Sequence, residues 1–312
     1  MASHRIVISE FMDTPAVELL RGRFDVDYRP SLVDDPAALE QALPEADAWI
    51  VRNRSQVRGR ALAAATRLRV VGRLGVGLDN IDVDACGARG IHVIPATGAN
   101  AESVAEYVIA TAMILLRGAA FLSTPAVAAG RWPRQMLSQG RDLAGKTLGL
   151  IGFGGIGQLT ARKARALGMA VIAHDPLLDP VASAWRELGE GPRSLEGLLG
   201  ESDVVSLHLP LTAGTRGLLG RERLAQMKRG AILINTARGS VVDEAALAQA
   251  LNEGRLGGAA IDVFDEEPLP AGSALAGARN LLLTPHIAGV TVESNERVSA
   301  FIAERVAAAL ED

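Results

Sequence analysis

The stretch TLGLIGFGGIGQLTARKARALGMAVIAHD, Thr147 to Asp175, decides how the rest of the chain is read. The apolar run TLGLI leads into three glycines, Gly152, Gly154 and Gly157, and then into GQLTARKARALG, a segment of helical composition. In that order the first glycine permits a tight turn, the second lets backbone approach a pyrophosphate, and the third lets helix and strand pack closely. The helix N-terminus, with Gly155 and Ile156 in its first turn, adds amide donors and a favourable dipole for an anion. Taken alone, such a glycine turn is equally a packing device. Here a second strand-like run ends in Asp175, about 20 residues beyond the last glycine, where a carboxylate accepts hydrogen bonds from ribose hydroxyls and repels a 2′-phosphate. The combination reads as a dinucleotide cradle. Pro176, Leu177 and Leu178 follow the acid with no arginine, which favours NAD over NADP.

Outward from this unit, short β-branched runs alternate with Ala/Leu/Arg-rich segments of helical period, the pattern of parallel strands joined by crossover helices. One series has strands expected at Arg5 to Ser9, Phe24 to Tyr28, Ala48 to Arg52, Arg69 to Arg73 and His92 to Ile94. A second has them at Thr147 to Gly152, Ala170 to His174, Asp203 to Leu207, Ala231 to Asn235, Gly258 to Asp262 and Asn280 to Thr284. Six strands suit a doubly wound sheet. A long apolar helix, Ser103 to Leu122, separates the series, and a last amphipathic helix, VESNERVSAFIAERVAAAL, follows the second. That last helix needs an apolar surface, and the first series offers one. The expected architecture is therefore α/β, two Rossmann-like domains with a cleft between them: a discontinuous substrate domain, 1–96 plus 287–312, and a dinucleotide-binding domain, 97–286.

Composition narrows the partners. The chain has 312 residues, 48% hydrophobic and 22% charged, with a net charge of −4, which gives no basic excess for nucleic acid or an anionic membrane. Its single cysteine, Cys86, cannot form an internal disulfide, and the N-terminal MASHRIVISEFMD lacks a signal-peptide pattern. A cytoplasmic location is expected. The Ala101 to Ala120 segment carries Glu102, Glu106 and Arg117 and so reads as a buried helix instead of a membrane span. No Cys/His cluster suggests a metal.

Nicotinamide chemistry needs a group to take a hydroxyl proton and another to orient and polarise the substrate. Three segments follow strands of the second series: INTARGSVVDE, DVFDEEPLP and LLTPHIAG. Arg238 can take a carboxylate with both arms of its guanidinium. His286 brings an imidazole, the side-chain type suited to proton transfer near neutral pH, and Glu267 can orient it and stabilise its imidazolium. Each has a plain alternative: a surface arginine, a structural loop histidine, a solvated acid. His208, in SLHLPLT, is the nearest rival histidine, with cofactor lining as its expected role.

The motifs GRLGVGLDNID, SVAEYVI, LAGKTLGLIGFGGIG, HLPLT, LINTARGSVVDEAAL, AAIDVFDEEP and LTPHIAG, in this order, resemble the D-isomer-specific 2-hydroxyacid dehydrogenase family over essentially the whole chain. The resemblance implies a flavodoxin-like substrate domain and catalytic roles for Arg238, Glu267 and His286. It also implies cofactor contacts by His208, Leu209, Pro210, Thr212, Thr236, Ala237, Arg238, Asp262, His286, Ala288 and Gly289, with Asp262 near the nicotinamide carboxamide. Leu74, Gly75, Val76 and Gly77 resemble the family's substrate loop, whose amides, chiefly of Val76 and Gly77, hold the substrate carboxylate. It implies a two-fold homodimer through the long apolar helix and the following STPAVAAGRWPRQ, with Trp132 as an anchor.

The implied reaction is hydride transfer between nicotinamide and C2 of a small D-type 2-hydroxy acid or its 2-keto acid. VISEFMD, VRNRSQV, RLGVGLDNID and PATGAN are most similar to members acting on sulfolactate; glyoxylate, hydroxypyruvate and 3-phosphoglycerate are alternatives. Arg54, with Ser55 beside it, and Arg52 are placed to meet a second substrate anion. A binding protein that senses NAD, like the related corepressors, is the alternative of another class. Formate oxidation is disfavoured, because Glu267 stands where family members with that activity carry glutamine.

Overall fold

The computed structural model describes residues 4–118, 123–189 and 191–311, and the chain divides into two compact units, Met1–Asn100 with Val290–Asp312, and Ala101–Gly289. The first unit holds strands β1 (Arg5–Ile8), β2 (Asp25–Tyr28), β3 (Ala48–Val51), β4 (Val70–Arg73) and β5 (His92–Pro95), with helices α1 (Thr14–Arg21), α2 (Pro36–Ala42), α3 (Gly59–Ala64) and α4 (Val83–Ala88) between them. All pairings are parallel and the order is β2-β1-β3-β4-β5. That is the flavodoxin-like order, with its switch between β1 and β3, where loops diverge to opposite faces and leave a crevice at the carboxyl ends of the strands.

The second unit begins with α5 (Ala101–Leu116) and α6 (Thr124–Ala128), then continues through β6 (Thr147–Ile151), α7 (Gly155–Ala166), β7 (Ala170–His174), α8 (Ser183–Leu188), α9 (Leu195–Glu201) and β8 (Val204–Leu207). It ends with α10 (Arg221–Gln226), β9 (Ile232–Asn235), α11 (Glu244–Asn252), β10 (Gly258–Ile261) and β11 (Leu281–Leu283). Its six parallel strands run β11-β10-β9-β8-β6-β7, so its switch falls between β6 and β8. The strands β8, β9 and β10 are buried at every position, as expected of a sheet covered by helices on both faces. The segment 119–122, the end of the helix expected over Ser103 to Leu122, lies outside the described residues.

The final helix, α12 (Val292–Glu311), belongs to the first unit. Its buried residues Val298, Ile302, Ala303, Val306 and Leu310 recur at helical spacing and join the core formed by Ile6, Ile8, Leu20 and Ile50. The approach to β4 is close. A Cβ at Gly72 would lie 2.8 Å from methyl carbons of both Ile302 and Val306.

The chain crosses between units at Asn100/Ala101 and Gly289/Val290, not at 96/97 and 286/287. The later second crossing has a local cause. The amides of Ile287 and Ala288 both donate to Asp262, which follows β10, at 2.8 Å, so this turn is tied to the second unit. No helix among the described residues is long and apolar enough to cross a membrane.

Candidate active site

In the second unit the glycine turn leaves β6 at the sheet's switch. Gly152 has φ +94°, a conformation L side chains rarely adopt, and a Cβ there would lie 2.2 Å from the His208 carbonyl oxygen. A Cβ on Gly157 would lie 2.5 Å from the Gly152 carbonyl oxygen, so the helix start and the turn touch. At Gly154 and Gly155 an added Cβ would meet nothing within 4 Å. Two glycines are thus needed for packing, and two leave backbone open at the start of α7, where Ile156 lies in the first turn.

Asp175, just past β7, turns back to this loop. One of its oxygens accepts from the Phe153 amide at 2.8 Å, and the other from the amides of Leu177 and Leu178 at 3.0 and 3.2 Å. The carboxylate is therefore fixed in direction by three backbone amides. Thr236 adds a buried hydroxyl oxygen with no hydrogen-bond partner among the described residues. An open amide cradle, a pre-aimed acid and an orphaned hydroxyl fit a dinucleotide.

Other residues of the expected cofactor set stand just beyond strand ends of the same sheet. His208 to Thr212 follow β8, Thr236 to Arg238 follow β9, Asp262 follows β10, and His286 to Gly289 follow β11. Burial pushes the His208 imidazole down to about 4, and its Nε2 lies 3.0 Å from the Ser206 hydroxyl. Asp262 is 1% exposed. Beyond the two amides already described it accepts from the Thr284 hydroxyl at 2.6 Å, and that hydroxyl lies 2.6 Å from the Tyr107 hydroxyl. A carboxylate has about four acceptor positions, so three donors leave roughly one free.

The catalytic candidates converge within this unit. His286 Nδ1 lies 2.9 Å from Glu267 Oε2, and the other Glu267 oxygen accepts from the Phe264 amide at 3.1 Å. His286 has φ +57°, uncommon for a residue with a Cβ. Its own amide donates to the carbonyl oxygens of Asp262 (2.8 Å) and Thr284 (3.0 Å), which hold it there. Arg238 is close enough for its charge to act on the Glu267 carboxyl. The approach of these two segments requires Gly239, where a Cβ would lie 1.9 Å from the Phe264 carbonyl carbon.

Asn235, 1% exposed, was not singled out by the sequence reading. Its Oδ1 accepts from the Ala237 amide at 3.0 Å and its Nδ2 donates to the Arg238 carbonyl at 2.9 Å, so it shapes the turn that presents the arginine. The signal was an asparagine at a strand end, where its side chain bonds backbone two residues on.

In the first unit, the expected substrate residues follow β3 and β4. Arg54 and Ser55 are arranged differently from each other. The Arg54 guanidinium is exposed and paired with Asp34, whereas Ser55 is buried with its hydroxyl 2.8 Å from that of Ser9. Arg52 donates to Asn295 Oδ1 at 2.7 Å and sits over the Phe11 ring. Beneath this loop lies the buried carboxylate of Glu10, accepting from the amides of Arg52 (2.7 Å), Ser55 (2.9 Å) and Arg54 (3.1 Å). Asn80 ties the carbonyls of Arg52 and Ser55 from the other side, at 3.2 and 2.7 Å. Leu74, Gly75, Val76 and Gly77 form the turn after β4, with Leu74 buried and Val76 exposed. Among the described residues no group of three or more His, Cys, Asp or Glu is placed to hold a metal.

A glycine turn, an aimed acid and a histidine–carboxylate pair on one parallel sheet define a dinucleotide-dependent oxidoreductase. Comparison with known proteins is specific. Residues 109–288 match the NAD binding domain of the D-isomer specific 2-hydroxyacid dehydrogenases. The chain is 54% identical over 305 residues to a (S)-sulfolactate dehydrogenase of Chromohalobacter salexigens, covering 98% of both chains. It is 43% identical over 280 residues to a D-3-phosphoglycerate dehydrogenase of Mycobacterium tuberculosis, covering 88% of this chain and 51% of that longer one. A D-lactate dehydrogenase of Aquifex aeolicus, solved with NAD and lactic acid, superposes with TM-score 0.85 at 31% identity, over 99% of this chain and 96% of that one. The chain belongs to the D-isomer-specific 2-hydroxyacid dehydrogenase family and is an NAD-dependent oxidoreductase.

Proposed function

We propose that the protein interconverts sulfolactate and sulfopyruvate, with His286 as the proton-transfer residue, Arg238 as the group that holds the reacting oxygen and carboxylate, and Glu267 as the partner of the imidazole. The observation that carries the chemical part is the 2.9 Å contact between His286 Nδ1 and Glu267. A carboxylate at Nδ1 keeps a proton on that nitrogen, which leaves Nε2 to take the hydroxyl proton in oxidation and return it in reduction. NAD, when bound, supplies the hydride acceptor or donor, and the residues named for it are those of the glycine turn, Asp175 and the strand-end loops.

Arg238 presents two parallel donors, which suits a carboxylate and a carbonyl that gains negative charge. By the same reading the amides of Val76 and Gly77 take the substrate carboxylate and Arg54 meets the sulfonate. Substrate choice is supported by the 54% identical relative that bears this activity's name. The (S) descriptor of that name agrees with a D-specific family. The sulfonate-bearing carbon outranks the carboxyl carbon, so (S)-sulfolactate has the spatial arrangement of D-lactate.

A homodimer in the cytoplasm completes the reading. It is supported by the exposed Trp132 (78%) and Met136 (74%) after α6, and by a single free cysteine. The test is NADH oxidation by the purified chain with sulfopyruvate, hydroxypyruvate, glyoxylate and 3-phosphohydroxypyruvate. Sulfopyruvate should give the highest kcat/KM; a preference for any of the others reassigns the substrate, and no turnover with any of them favours a binding protein.

A further inference from the structure

We infer that Arg73 is a positioning residue for substrate binding: its buried guanidinium pins the carbonyls of Leu74 and Gly77, at the two ends of the loop, and so holds the intervening backbone in the shape that presents the amides of Val76 and Gly77 to the substrate carboxylate. The inference rests on the proposed role of that loop. Arg73 is the last residue of β4, in a strand buried at every position, and is 9% exposed. A cation at the end of a buried strand is unusual, because charge is costly to desolvate unless it is well bonded.

Two of its bonds go to the loop itself. Nη1 donates to the Leu74 carbonyl at 2.7 Å and Nε to the Gly77 carbonyl at 2.9 Å. Gly75, with φ +153°, wraps so tightly around the guanidinium that a Cβ there would lie 2.0 Å from Nη1. The Gly75 carbonyl is also engaged, accepting from the Ala96 amide at 2.8 Å, and the Leu74 amide donates to Val51 at 2.8 Å. The amides of Val76 and Gly77 donate to no acceptor among the described residues. Within a peptide unit the carbonyl of one residue and the N–H of the next point opposite ways, so the Gly75 carbonyl held by Ala96 turns the Val76 N–H away from Ala96, while the Leu74 and Gly77 carbonyls held by Arg73 fix the loop on either side of the two amides. Such a pair of successive amides is an anion-binding concavity, and the guanidinium beneath adds positive potential to it.

The full chain is compared with Arg73→Gln, Arg73→Lys and Gly75→Ala by steady-state reduction of the best 2-keto acid, with NADH affinity measured separately by fluorescence titration. Arg73→Gln and Gly75→Ala should raise KM about tenfold or more, the size of one or two charge-assisted hydrogen bonds, with kcat within about threefold and NADH affinity unchanged. Arg73→Lys should fall between them and the wild type, since an ammonium cannot span both carbonyls. Should Arg73→Gln not fold, the other two variants decide. Unchanged KM in folded Arg73 variants of an active enzyme overturns the inference alone. If the amide of the best 2-keto acid is reduced as well as the acid, no carboxylate is recognised, and both this inference and the loop's proposed role fall.

Discussion

In Glu267, burial works to raise the carboxyl's pKa, while the hydrogen bond and charge of His286, the Phe264 amide and the charge of Arg238 lower it, and the lowering side prevails. A carboxyl that ionises below its usual range contributes stability that is complete above about pH 4.3 and is lost as pH falls through the folded value. In the proposed mechanism the same charge holds the proton that reduction consumes. Glu267→Gln keeps a hydrogen-bonding side chain but removes the charge, so reduction at pH 8 should slow on the order of 10-fold or more, and the loss should shrink as pH is lowered. A pH–rate profile matching the wild type's would take the carboxylate out of that role. His208 acts in the opposite sense to a stabilising charge. Its folded value of about 4 lies below the ordinary histidine range, so protonation favours the unfolded chain as pH falls from about 6.5 toward 4. His208→Asn should therefore flatten the loss of stability over that window, by about 1–2 kcal/mol at pH 5, in denaturant titrations repeated across pH. Parallel curves for the two proteins would show that the imidazole is not buried as described.

At the scale of elements, the glycine turn and α7 form one unit with β6. Gly157→Ala places a methyl 2.5 Å from the Gly152 carbonyl oxygen, which is backbone and cannot swing aside. The helix start must shift, and with it the open amides at Gly154 and Gly155. NADH affinity should fall about tenfold or more, the change that one lost charge-assisted contact produces, with melting temperature also lowered; titration of NADH fluorescence checks it, and wild-type affinity would mean that the cradle lies elsewhere. This element was legible because its meaning is local: strand, turn and helix are adjacent in sequence. The strands were legible for a similar reason. All eleven expected runs are strands, with ends that differ from the expected ones by at most a residue, since apolar β-branched runs bounded by turn residues have few other uses in a parallel sheet.

For the molecule as a whole, the first unit depends on a helix, Val292–Glu311, that arrives only after the whole second unit has intervened since its last strand, His92–Pro95. Ile302 is fully buried against Gly72 on β4. Ile302→Ala should cost about 2–5 kcal/mol, the range for deleting a buried aliphatic side chain, and denaturant unfolding would measure it. A loss below about 1 kcal/mol would mean the helix is only loosely docked. The sequence reading placed α12 with the first series because a complete second sheet left it unpartnered. It placed the second crossing at Ile287, too early, because nothing in LTPHIAG announces that Asp262 would hold the amides that follow His286.

By itself the sequence determined the two parallel sheets and the glycine turn with the acid after β7, and it singled out Arg238, Glu267 and His286 as candidates. These follow from periodicity and from residue types set at strand ends. Only the tertiary structure decided which buried polar groups brace those residues: Asn235 under the arginine turn, Asp262 with Thr284 and Tyr107 under the histidine turn, Glu10 and Asn80 around the Arg52–Ser55 loop, and Arg73 within the loop after β4. The physical reason is one of range. A strand or a glycine turn is specified by neighbours in the chain, whereas a buried hydrogen bond is specified by whichever distant backbone the fold carries to it. An isolated Asn, Glu or Arg in the sequence carries no mark of that partner.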